Sequence, residues 1–71
     1  MKLRRMSGHG DELLAEWEVE TATPARLAEI EAEFKSLMAR GYFAADLATN
    51  ELIKEFKADT SILMIPHMQG G

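Results

Sequence analysis

The sequence predicts an α+β domain in which one amphipathic helix packs on a mixed sheet. Three observations carry that prediction. A stretch near the start alternates apolar and acidic residues with a period of two. A capped segment in the middle repeats apolar residues every three or four positions. A short run near the end, Ile62-Leu63-Met64-Ile65, is apolar throughout. A sheet with one helix laid on it gives each pattern a surface to bury against.

Residues 2–6, Lys-Leu-Arg-Arg-Met, read as the first strand, and Gly8-His9-Gly10-Asp11 as the turn that follows. Next, Leu13, Ala15, Trp17 and Val19 fall on one side, and Glu12, Glu16, Glu18 and Glu20 on the other. That period predicts a half-buried strand with an acidic outer face, paired with the first strand as a hairpin. Leu14 is the one break in the alternation. Trp17, on the apolar side, is expected in the core.

Thr23-Pro24 opens the helix. Threonine caps orphan amides, and proline suits the first helical position. Leu27, Ile30, Phe34, Leu37 and Met38 then form one apolar stripe. Glu31 and Lys35 make an i,i+4 pair, worth a few tenths of a kcal/mol. Gly41 supplies the left-handed stop.

Residues 42–47 and 51–56 read as a hairpin around Ala48-Thr49-Asn50, with a helical turn as the alternative for the first because of Ala44, Ala45 and Ala48, and 57–60 read as a loop. The unbroken apolarity of 62–65 predicts a central strand covered on both faces, beside the first strand. Pro66 has no amide hydrogen to donate, so pairing is expected to stop there. The order is strand, strand, helix, strand, strand, strand. The expected organisation is one domain over 1–65 and a C-terminal tail over 66–71. The helix covers one sheet face only, which leaves Ile53 and Phe56 partly exposed. Met64 and Met68 are candidates for an adaptable contact patch around the tail.

Size and composition bound the function. A 71-residue chain makes one small domain. It has no cysteine, which excludes disulfides, thiolate metal sites and cysteine chemistry. No apolar run approaches the ~20 residues of a membrane span, and the basic start lacks the apolar core of a signal peptide. A cytoplasmic, unprocessed protein with no membrane association is expected. The net charge of −4 disfavours nucleic-acid binding.

Few residues offer chemistry of their own. His9 and His67 are the only histidines, and neither has ligand spacing toward carboxylates such as Asp11 or Asp59. No metal site is expected. Ser7-Gly8-His9-Gly10 lacks the Lys-Ser/Thr and following helix of a phosphate loop. Asp11 and Glu12 lie by a turn that offers no pocket for acid–base work. No catalytic residue and no bound cofactor are expected.

The tail is the informative motif. Ile65-Pro66-His67-Met68-Gln69-Gly70-Gly71 resembles the ending of the small subunit of molybdopterin synthase. That family ends in an apolar residue, two prolines, an apolar residue, a small residue and two glycines. Ile65, Pro66, Met68, Gly70 and Gly71 match in type and spacing. His67 stands where the second proline is usual, and Gln69 where a small residue is usual. Thiamine sulfur carriers and ubiquitin-like modifiers share the Gly-Gly end. The element order likewise resembles their β-grasp, or ubiquitin-like, fold.

The resemblance implies a protein carrier rather than an enzyme. An E1-like partner would use ATP to adenylate the Gly71 carboxylate, for thiocarboxylate-based sulfur transfer or for protein conjugation. Gly70 would let the tail thread a narrow channel, with Pro66, His67 and Met68 as the tail and docking residues. The partners implied are the E1-like enzyme and an acceptor protein or sulfur-transfer enzyme, with the carrier itself a monomer. The competing reading is a small non-catalytic binding, structural or regulatory module, phage-associated or antitoxin-like, whose Gly-Gly end is incidental.

Overall fold

A computed structural model describes residues 1–66. The chain forms β1 (Lys2–Ser7), β2 (Gly10–Glu16), α1 (Pro24–Ala39), β3 (Phe43–Asp46), β4 (Glu51–Ile53) and β5 (Ile62–Ile65). The five strands make one mixed sheet in the order β2-β1-β5-β3-β4. β5 runs parallel to β1 and antiparallel to β3, and the two hairpins are antiparallel. This α+β arrangement, one helix on a five-stranded mixed sheet, is compatible with a β-grasp.

The helix forms where its caps and stripe require it. Thr23 Oγ1 accepts from the Arg26 amide at 3.1 Å, and Pro24 begins the helix. At the other end Gly41 takes φ +96°, the left-handed conformation that costs glycine little. Ile30, Phe34 and Leu37 are buried, while Leu27 and Met38 pack at the margin. Each fully buried side chain of this size contributes about 1.5–3 kcal/mol. The Glu31–Lys35 pair is present at 3.4 Å on the exposed face.

The sheet meets that stripe with Leu3, Ala15, Ala44, Ile62 and Met64. Trp17 closes one end of the core and is 4% exposed. Phe56, from the loop before β5, packs between two aromatic rings, tilted against one and edge-on to the other. Its centroid lies 5.8 Å from Trp17 and 5.8 Å from Phe34. Phe56 and Ile53 are partly buried, but both pack against the core rather than on the outer face: β4 ends at Ile53, opposite the buried Ala44, instead of running to residue 56, and Phe56 follows in the loop.

β2 departs from its simple alternation. The β1–β2 register runs Leu3 opposite Ala15 but Arg4 opposite Leu13, so Leu14 is the extra residue of a bulge. The bulge reverses the faces on either side of it. Ala15 therefore turns to the helix, whereas Leu13 lies on the outer face, 48% exposed. The strand also ends earlier than the alternation suggests. Past Glu16, the Trp17 amide bonds Met1 O at 2.9 Å. The Ala22 amide then bonds Glu18 O at 2.8 Å, closing a turn. Val19 sits in that turn and is 43% exposed, not in the core.

β5 is central, beside β1, but its two faces differ. Ile62 and Met64 are fully buried under the helix, while Leu63 and Ile65 are half-buried on the outer face. The helix covers only one side, so continuous apolarity here does not mean burial on both. Met64 is thereby a core residue and is excluded from any contact patch around the tail.

Candidate functional site

β5 is held firmly where it starts. Thr60 Oγ1 donates to Asp46 Oδ1 at 2.7 Å, and the Ala48 amide donates to the same oxygen at 2.8 Å. Ser61 is gripped from both sides: the Lys2 amide donates to its Oγ at 3.0 Å, and the Leu47 amide to its carbonyl at 2.9 Å. Asp46 and Thr60 are both buried, and they satisfy each other. The Thr60 hydroxyl, with help from the Ala48 amide, lowers the Asp46 pKa below its ordinary value.

At its other end the pairing of β5 stops. Its ladder with β1 ends at Arg5 opposite Met64, and that with β3 at Phe43 opposite Ile65. Pro66 follows, half-buried, and has no amide hydrogen to extend either ladder. On the β1 side Arg5, opposite Met64, forms an ion pair with Glu12, and the carboxylate raises the guanidinium pKa. On the β3 side Phe43, opposite Ile65, helps to line an apolar recess of about 490 Å³ with Met38, Tyr42, Leu52 and Ile53. Lys54 is the one charged residue of that lining, so the recess can bind apolar surface but offers no acid–base pair.

His67, Met68, Gly70 and Gly71 lie outside the described residues. Pro66, the described residue of the expected tail, sits where pairing stops, as its missing amide hydrogen requires. Among the described residues no three His, Asp or Glu side chains gather as metal ligands. His9, Asp11 and Asp59 are all exposed, His9 and Asp11 at the β1–β2 hairpin and Asp59 in the loop before β5. Among the described residues no helix is long and apolar enough to cross a membrane.

No family model, curated protein or solved structure matches this chain.

Two features escaped the sequence reading. One is the Asp46–Thr60 lock. Its signal was present, since Asp46 is an acid inside the otherwise apolar run 42–47 and is followed two residues later by the amide it captures. The other is the outer sheet face, which depends on the bulge register and on which strands become neighbours.

Proposed function

We propose that this chain is a ubiquitin-like carrier of β-grasp type. In this reading Gly71 ends the working protein, and an E1-like enzyme adenylates its carboxylate. The observation that carries the proposal is the asymmetry of β5. The central strand is fastened at Thr60 and Ser61, and its ladders stop before Pro66. A tail leaving such a strand is anchored to the rigid middle of the domain, so a partner that grips the domain also fixes where the tail begins.

The chemistry needs no catalytic group on this chain. A free carboxylate is a poor acyl donor. Attack of its oxygen on the α-phosphorus of ATP expels pyrophosphate and leaves an acyl-adenylate. A sulfur nucleophile then displaces AMP, giving a thiocarboxylate or a thioester. Nucleotide and metal belong to the partner. Glycines at 70 and 71 present no Cβ to the walls of the partner's channel.

The test is ATP-dependent modification followed by intact-mass measurement, with a Gly71 deletion as control. The carrier reading requires an adduct on the full chain and none on the deletion. The competing reading, a non-catalytic binding module, draws support from a separate observation, the apolar outer face of the sheet.

A further inference from the structure

The strand register places one row of side chains across the outer face. Leu13, Arg4, Leu63, Ala45 and Leu52 are successive cross-strand neighbours, from β2 through β4. At ~4.8 Å per strand the row spans about 19 Å. Leu52 is 68% exposed and Leu13 48% exposed, and Leu63 and Ala45 are half-buried. Phe43 and Met6 extend the apolar surface on the same face.

Arg4 is the one charge in this row. It is half-buried, with Leu13 on one side and Leu63 on the other. The other two cations of β1 are engaged: Lys2 meets Glu16 and Arg5 meets Glu12. Among the described residues Arg4 has no acidic partner. An apolar body laid over this face would strip water from the guanidinium, and burying an uncompensated charge is costly. The occupant therefore has to bring a carboxylate. The chain's net charge of −4 makes acidic segments unwelcome over the surface at large, which sharpens that selectivity.

We infer that the outer sheet face is a docking surface for a partner-protein segment that carries a carboxylate between apolar side chains, with Arg4 as the residue that selects it. The leucines supply area, and the guanidinium supplies a bidentate anion contact. The inference does not depend on Gly71 and stands or falls separately from activation of the tail.

The full chain, labelled with nitrogen-15, is used to select binders from a random displayed peptide library. The expected binders carry Asp or Glu flanked by apolar residues, and they shift the amide resonances of the outer-face strands. Arg4→Gln and Leu52→Ser should each weaken them by about tenfold or more, without altering the native spectrum. Lysine in place of the peptide's acid should abolish binding to the native chain and restore it to Arg4→Glu. Binders lacking an acid, equal binding to Arg4→Gln, or shifts confined to the helix face would overturn the inference. So would the absence of any binder, or concentration-dependent self-association through this face in place of peptide binding.

Discussion

The indole Nε1 of Trp17 donates a hydrogen bond to the carbonyl of Ala58, 2.8 Å away. That bond joins the segment after β2 to the loop that leads into β5. The same loop contributes Phe56 to the aromatic cluster with Trp17 and Phe34. Truncation to Trp17→Ala should cost about 3–5 kcal/mol. A domain of this length has roughly 4–10 kcal/mol in total, so the variant should lose about a third of its stability or more. Trp17→Phe keeps most of the packing but leaves Ala58 without its donor, and should cost closer to 1 kcal/mol. Urea unfolding followed by circular dichroism measures both.

The Asp46–Thr60 lock makes stability depend on acid. The Asp46 pKa is lowered in the folded state, chiefly by the Thr60 hydroxyl. Its contribution is thus complete above the unfolded value of about 4 and is lost as pH falls through the lower folded value. Asp46→Asn should be less stable at neutral pH and should show a flatter loss on acidification. Thr60→Val should move the Asp46 titration, followed by carbon-13 NMR of its carboxyl, back toward the ordinary range.

The bulge at Leu14 assigns opposite fates to two residues only two positions apart. Leu13→Glu should change stability by only about 0.5 kcal/mol, because the side chain is half-exposed on the outer face, opposite Arg4. Ala15→Glu buries an unpaired carboxylate in the core and should cost about 3 kcal/mol or more. Thermal melts of the two variants at matched pH compare them directly. Similar losses from both would contradict the register.

The helix ends make local demands. Thr23→Ala removes the hydroxyl that accepts the Arg26 amide and should cost about 1 kcal/mol. Gly41→Ala forces a Cβ into φ +96° and should cost a comparable ~1 kcal/mol. The two sites lie at opposite ends of α1, so the losses should add in the double variant.

The helix and the central strand were readable because their signals are local. A capping threonine, a proline, a 3–4 apolar spacing and a glycine stop need no distant partner to be interpreted. Ile62-Leu63-Met64-Ile65 was readable as a strand, and Pro66 as its end, for the same reason. β2 was harder, because Leu13 and Ala15 look equivalent until Leu14 is known to bulge. That bulge is set by pairing with Leu3 and Arg4, far along the chain from any local cue. Met64 is ambiguous in the sequence because methionine is adaptable enough to suit either a core or a surface. The Arg4 row was invisible for a topological reason: its five members come from five strands. The tail motif was legible as a resemblance in type and spacing, and its chemistry is a matter for experiment.

The most direct test of the carrier account is the intact mass of the full chain after incubation with ATP, a sulfur donor and E1-like adenylating enzymes of the sulfur-carrier and conjugating kinds. The account predicts either a mass increase equal to the exchange of one oxygen for sulfur at Gly71, or a covalent adduct through it. Both should be absent without ATP and in the Gly71 deletion. An unmodified mass with every such enzyme, or equal modification of the deletion, would contradict it.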